Sequence, residues 1–311
     1  MCCLFGLIDY RHGLSVKQKN KILSVLAAAC ETRGTDATGI AYNFGGKLRV
    51  YKRPIPGHRM RFRVPADAWT IMGHTRMTTQ GSAKRNYNNH PFFGKAGNEP
   101  FALAHNGVLY NDRSLRRTLA LPEVKIETDS YIGVQLIERK NVLDFASLRY
   151  MAEQLEGSFT FTVLDGKDDL YFVKGDNPLC LYHFPTLGLY LYTSTEEIMR
   201  SVLSRLHLSD KRAHQIRVDC GKILQIDCAG KTAWSRFDDS NLMFSRYDRM
   251  WGYPYGGQWD SEEATDTADS YMEEIKAVAS SFGYTPEAID RLAAMGFSAE
   301  ELEEFLYCGE L

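Results

Sequence analysis

The sequence predicts an α+β fold in which β-sheets lie against one another beneath helical outer layers. Three observations carry this reading. A short apolar strand opens the chain, and a stretch with a helix start signal follows it. Residues 158–235 are mostly strand text, in short apolar runs parted by Gly, Asp, Asn or Pro. Helical stretches stand before, between and after those runs.

The elements follow in order. Residues 3–9 are an apolar run ended by Asp9 and, soon after, Gly13, which predicts a buried strand. Ser15 is placed to cap a helix over roughly 16–31, with Val16, Ile22, Leu23, Leu26 and Ala27 on or near one face. The polar turn Arg33-Gly34-Thr35-Asp36-Ala37-Thr38-Gly39 leads into a strand at 40–42, and residues 47–52 pair with it through Gly45-Gly46. Trp69 to Arg76 is a strand running into a long polar loop over 77–100, and loops of that length are often functional lids. A strand at 101–105 is broken by Asn106-Gly107. Helices are expected at about 112–119, 128–139 and 143–155, with Thr128 and Asp129 starting the second. Short strands at 159–164, 170–174, 179–183 and 189–193 precede a helix at 195–206, and two or three more strands end near Trp234.

The text then changes. Residues 236–266 hold Tyr247, Trp251, Tyr253, Tyr255 and Trp259 among glycines and acids with no period, which reads as a linker or docking arm. The tail, 267–311, is acidic and helical in pattern. Tyr271, Ile275, Val278 and Phe282 mark an apolar stripe, Thr285-Pro286 starts a second helix, and Ser298-Ala299-Glu300-Glu301 is a capping box for a third. The expected division is therefore a domain over 1–235, an arm over 236–266 and a small helical tail over 267–311.

Composition narrows the function classes. Of 311 residues, 44% are apolar and 24% charged, the balance of a soluble globular chain. A net charge of −2 gives no global drive toward nucleic acid or a membrane surface. The apolar runs fall short of the ~20 residues a bilayer span needs, and no basic-then-apolar leader opens the chain, so a cytoplasmic location is expected. The seven cysteines are scattered and form no Cys-x-x-Cys pair, so neither a disulfide framework nor a zinc site is expected, and no cofactor motif stands out. Cys220 and Cys228 fall in strand-like text and are expected in the core. The basic stretch from Lys52 to Arg63 has two readings: an anion-binding patch, or a solvated, salt-bridged edge, which is the commoner fate of single-sign runs.

A few residues carry chemistry. Cys2 follows Met1, so removal of Met1 leaves one residue with a thiol and a free α-amine. The thiolate is the reactive form, and an amine of pKa near ~8 can serve as its base. Alone, the pair reads more readily as a small buried hydrophobe. Arg76 offers a planar charged fork for a carboxylate, or a structural ion pair. Asn106-Gly107 offers an amide and a backbone N–H that can converge on an oxyanion, or simply a type I′ turn. Asp129 can cap a helix or hold an ammonium group.

The ordered set resembles the class II glutamine amidotransferase domain of the N-terminal-nucleophile hydrolases. Cys2 comes first, and Arg33-Gly34-Thr35-Asp36-Ala37-Thr38-Gly39 resembles that family's RG-x-D turn. Gly73-His74-Thr75-Arg76 with Thr79 and Gly81, His90-Pro91, Ala104-His105-Asn106-Gly107 and Thr128-Asp129-Ser130 resemble its later motifs in order. Gly157-Ser158-Phe159 and Tyr192-Thr193-Ser194-Thr195-Glu196 extend the likeness, which covers roughly residues 2–235. Met77 and Gln80 depart from the pattern on the presumed lid.

The resemblance implies a four-layer α-β-β-α sandwich of N-terminal-nucleophile type and hydrolysis of the glutamine side-chain amide through a Cys2 thioester. It implies that Asn106 and Gly107 hold the oxyanion, Arg76 the α-carboxylate and Asp129 the α-ammonium, with Thr79 and His90 on the closing loop. L-glutamine is then the substrate. The 76 residues after 235 are too few for a synthase domain, so the ammonia acceptor is expected on another subunit, met through 236–311, or on none if the chain is a stand-alone glutaminase. A homo-oligomer through the same segment is the other expected partner. The competing expectations are an amidohydrolase of the same superfamily with another acyl substrate, and a non-catalytic interaction protein on that fold.

Overall fold

A computed structural model describes residues 2–208 and 213–242 and, further on, 272, 275, 276, 279, 284–295, 297 and 302. These fall into two compact units, Met1–Tyr253 and Pro254–Leu311.

Among the described residues, the first unit holds thirteen strands, which form two antiparallel sheets. The strands are β1 (Cys3–Asp9), β2 (Ala37–Phe44), β3 (Lys47–Arg53), β4 (Thr70–Arg76), β5 (Phe92–Ala96), β6 (Glu99–Leu109), β7 (Gly157–Asp165), β8 (Leu170–Lys174), β9 (Cys180–Phe184), β10 (Leu189–Thr193), β11 (His214–Gln215), β12 (Lys222–Ile226) and β13 (Thr232–Arg236). One sheet runs β11-β9-β10-β1-β4-β2-β3 and the other β13-β12-β8-β7-β6-β5. The helices are α1 (Val16–Ala29), α2 (Asp112–Thr118), α3 (Tyr131–Lys140), α4 (Phe145–Gln154) and α5 (Glu196–Leu206).

Burial shows why these layers form. Strand β1 sits in the middle of its sheet and is buried along its whole length, which is why it reads as an uninterrupted apolar run. Its Cys3, Phe5 and Leu7 join a core with Ile22, Leu23 and Leu26 of α1 and Ile198, Met199 and Val202 of α5. Its Leu4 and Ile8 face the other way, into a core shared with Ala102, Ala104, Leu164 and Phe172 of the second sheet. The far side of that sheet packs Phe101, Leu103, Phe161 and Val163 against Ile132, Leu136, Leu148 and Met151 of α3 and α4. The result is a helix, sheet, sheet, helix stack, the four-layer α-β-β-α sandwich.

Local signals hold at several starts. Ser15 caps α1 in a capping box with Gln18, a cap of the kind that contributes about 1 kcal/mol. Asp144 caps α4 in a box with Ser147, and Thr195 caps α5. Packing of the first unit continues past residue 235, since Phe237 and Leu242 are buried against the second sheet's helical side.

The structure also differs from the sequence reading. The polar loop does not run to residue 100, because residues 92–96 form β5 and turn back through Gly97 onto β6. Asn106-Gly107 does not break its strand: β6 continues to Leu109, with Asn106 opposite Thr160 and Gly107 opposite Phe159. Cys220 and Cys228 are exposed, not core. The arginines of the 52–63 stretch are exposed, as the solvated-edge reading expects, but none forms an ion pair among the described residues; the pair in this stretch is His58 with Glu31.

In the second unit, α6 (Pro286–Ala294) begins at Thr285 with Pro in its first turn, and Ile275, Ala279, Ile289 and Leu302 bury one another. Tyr271, Val278, Phe282, the 298–301 capping box and the aromatics Tyr247 to Trp259 lie outside the described residues. No described helix is long and apolar enough to cross a membrane.

Candidate active site

The candidate residues gather where the ends of β1, β4 and β6 meet. Cys3 pairs with Thr75, which places Cys2 beside the end of β4 where Arg76 stands. One small pocket is lined by Cys2, Arg76, Thr79, His90, Gly107 and Asp129 together with Met77, Gln80, His105, Thr128 and Ser130. Six of the seven residues singled out by sequence line it. The seventh, Asn106, is fully buried beside Gly107, and neither atom of its side-chain amide has a hydrogen-bond partner. An unpaired buried amide costs about 1–3 kcal/mol.

Cys2 is half-buried, and its thiol donates to the Met77 carbonyl at 3.4 Å. Burial pushes the thiol above its ordinary pKa, with the charge of Arg76 acting in the opposite direction. The thiol is therefore protonated at neutral pH and needs a base to become a nucleophile. The Arg33-Gly34-Thr35-Asp36 turn fixes this corner. Arg33 Nε donates to the Cys2 carbonyl at 3.1 Å, and Asp36 Oδ2 accepts from the Thr78 N–H at 2.8 Å. Gly34 lies so close to the Arg76–Met77 backbone that a Cβ there would come within 2.5 Å of the Arg76 carbonyl carbon.

Gly107 is held with φ at +144°, and a Cβ on it would lie 1.9 Å from the Ser158 carbonyl oxygen. Only glycine fits. The same dipeptide that signals a turn here serves an unbroken strand crowded by its neighbour.

Arg76 is 3% exposed, and its two terminal nitrogens are engaged with the polar loop. It donates to Asn89 Oδ1 at 2.7 Å, to the Gly81 carbonyl at 3.0 Å and to the Gln80 carbonyl. Burial lowers its pKa, opposed by Cys2, Asp36 and Asp129, and a guanidinium stays charged throughout. Asp129 does not cap its helix. Its Oδ2 accepts from the Leu109 N–H at 2.7 Å, and its Oδ1 accepts from the Ser130 hydroxyl at 3.3 Å. Each oxygen keeps a lone pair for another donor.

Behind these groups lies a buried histidine cluster that the sequence reading used only as motif letters. His74 Nε2 donates to the His105 carbonyl at 2.9 Å, joining β4 of one sheet to β6 of the other. His105 Nδ1 bonds the Ser130 hydroxyl at 2.8 Å, and so leads to Asp129. His90 lies tilted between His74 and Phe92, with ring centroids 4.2 and 4.4 Å away, and neither of its ring nitrogens has a hydrogen-bond partner. Burial holds His74 down at about 3, His90 well below its ordinary value and His105 below it, so all three are neutral at pH 7.

Four supporting residues escaped the sequence reading. Lys52 Nζ donates to the Asn89 and Pro91 carbonyls on either side of His90, and burial lowers it to about 8. Asn89 holds the Ala83 carbonyl at 2.8 Å while it accepts from Arg76. Asn88 Nδ2 donates to Glu127 at 2.7 Å, and Glu127 pairs with Arg85. These contacts pin the loop from 77 to 91. The contacts of Lys52 and Glu127 carry no spacing signal, because their partners lie dozens of residues away, and those of Asn89 stay within the loop and its adjoining strand. Among the described residues, no cluster of His, Cys, Asp and Glu has metal-binding geometry.

With this geometry in place, the comparisons are specific. A family model described as a glutamine amidotransferase domain matches residues 74–199. Glutamine--fructose-6-phosphate aminotransferase of Sulfurisphaera tokodaii is 30% identical over 190 residues, covering 58% of this chain and 31% of that protein. Its counterpart in Halobacterium salinarum is 32% identical over 169 residues, covering 50% of this chain and 26% of that protein. The chain thus spans only about a third of the length of the curated relatives it matches. Among solved structures, glutamine phosphoribosylpyrophosphate amidotransferase from B. subtilis shares the fold, with a TM-score of 0.63 at 19% identity over 90% of this chain and 58% of that one. Over residues 74–199 the chain matches a glutamine amidotransferase domain, and in sequence and fold it is similar to amidotransferases of class II, the N-terminal-nucleophile type.

Proposed function

We propose that this chain hydrolyses the side-chain amide of free L-glutamine at Cys2 and yields ammonia for an acceptor held elsewhere. The observation that carries the reading is the convergence of a cysteine, a guanidinium, a carboxylate and a glycine strand position on one pocket.

Loss of Met1 frees the Cys2 amine. That amine takes the thiol proton as sulfur attacks the amide carbon, and the C=O electron pair moves onto oxygen. Asn106 Nδ2 and the Gly107 N–H donate to the oxyanion. As the tetrahedral species collapses, the C–N bond breaks, the protonated amine returns its proton to the departing nitrogen, and ammonia leaves a γ-glutamyl thioester. Water, deprotonated by the same amine, adds to the thioester. Collapse then releases glutamate and restores the thiol.

Arg76 receives the α-carboxylate and Asp129 the α-ammonium. A substrate lacking either end leaves a buried charge unpaired, which supports a free amino acid over another acyl substrate. Thr79 supplies a hydroxyl at the carboxylate end, and His90 packs beneath the closing loop. Residues 1–235 are assigned to this chemistry. Residues 236–266 and 267–311 are assigned to docking on the acceptor subunit or on a second copy, in the cytoplasm.

The test is glutamate release from glutamine by the purified chain, with Cys2→Ser as control. Turnover of glutamine, with none of amides lacking the α-amine or α-carboxylate, is the expected result. Cys2-dependent turnover of simple acyl amides would replace glutamine as substrate.

A further inference from the structure

We propose that the outer face of the β2–β3 ribbon is a second binding site, for a small phosphorylated ligand with a flat ring. The proposal goes beyond the glutamine pocket and does not depend on it.

The strand period builds the site. On β3, Leu48, Val50 and Lys52 point inward, and Lys47, Arg49, Tyr51 and Arg53 alternate with them on the exposed outer side. The register sets Arg49 opposite Tyr42 and Tyr51 opposite Ile40, so these four share one face. The chain returns beside that face as an extended segment. Met60, Phe62 and Val64 are buried in the core beneath α1, which turns Arg61 and Arg63 out to solvent.

Between ribbon and segment lies a groove of about 400 Å³, lined by Ile40, Tyr42, Tyr51, Arg61, Arg63 and Val64. That volume is in the range of small-molecule sites. Its floor is apolar and aromatic, and Tyr51 is 42% exposed, a phenol ring open to stacking.

The charge there is uncompensated. Among the described residues, no carboxylate pairs with Arg49, Arg53, Arg61 or Arg63, and the local acid Glu31 pairs with His58 instead. The chain as a whole carries −2, so this patch does not reflect a basic protein. Guanidinium forks beside the open Tyr51 ring suit a phosphate carried on a planar ring: the forks bind the oxyanion bidentately and the phenol takes the flat body. The concave, ligand-sized shape favours a small molecule over a polypeptide.

Titration calorimetry of the full chain with AMP, phenyl phosphate, inorganic phosphate and adenosine tests this. AMP or phenyl phosphate is expected to bind saturably, inorganic phosphate at least tenfold more weakly, and adenosine not at all. The tighter of the first two reports whether the ring is a purine or a simple arene. The Arg61→Ala, Arg63→Ala double variant is expected to weaken binding at least tenfold while leaving the melting temperature and Cys2 labelling unchanged. Tyr51→Ala is expected to weaken AMP or phenyl phosphate but not inorganic phosphate. No saturable binding, binding indifferent to the double variant, or a preference for polyglutamate over every phosphate probe would overturn the proposal.

Discussion

Arg76 donates to the main-chain carbonyl of Gly81 at 3.0 Å, so the residue assigned to the substrate carboxylate is held by the loop that covers it. On the role proposed for Arg76, the substrate carboxylate takes the place of the Gln80 and Gly81 carbonyls, which ties binding to release of the loop. Arg76→Lys keeps the charge but loses the fork. Steady-state kinetics are expected to show kcat/KM for glutamine reduced about 100-fold, equivalent to ~3 kcal/mol, mostly through KM. An unchanged KM would remove Arg76 from the binding role.

The histidine cluster predicts acid sensitivity. His74, His90 and His105 are all depressed by burial, His74 to about 3. Below the unfolded value near ~6.5, the unfolded chain binds protons that the folded one refuses, so stability falls as pH falls. Three such groups give a slope of up to about 4 kcal/mol per pH unit. Urea melts from pH 7 to 5 are expected to show this loss, and His90→Gln is expected to reduce the slope by about a third. A flat profile over that range would contradict the buried neutral cluster.

Gly107→Ala tests the strand geometry. The new Cβ meets the Ser158 carbonyl at 1.9 Å in a backbone conformation that L-residues avoid. A loss of about 3 kcal/mol or more is expected in chemical denaturation, with loss of turnover. A variant of normal stability would mean that β6 does bend away from β7 at this point.

Lys52→Met removes a buried donor from the Asn89 and Pro91 carbonyls. Each abandoned carbonyl costs about 1–3 kcal/mol. Because Asn89 also accepts from Arg76, the loosened loop is expected to raise KM for glutamine more than it lowers kcat. Equal stability and equal KM would assign Lys52 no part in holding the loop.

The legible and illegible parts of the sequence divide by range. The first strand, the Ser15 cap and the short apolar strands from 157 onward are local patterns, and apolar runs or capping chemistry reveal them. Asn106-Gly107 misled because its local chemistry is that of a turn. Its extended state is imposed by β7, more than fifty residues on. Strand β5 was hidden in a polar loop because its partner strand supplies the order its five residues lack. Of the site, the groups proposed to meet substrate were legible through ordered motifs. Lys52 and Glu127, which pin the loop, act across the fold and leave no spacing to read.

The most direct measurement is the intact mass of the purified chain before and after treatment with 6-diazo-5-oxo-norleucine, a glutamine-shaped electrophile, with Cys2→Ala as control. The account predicts a chain lacking Met1, a single adduct mapped to Cys2, and none on the variant. A chain that retains Met1 and takes no Cys2-dependent adduct would contradict it, because the thiol would have neither its amine base nor a pocket that receives glutamine.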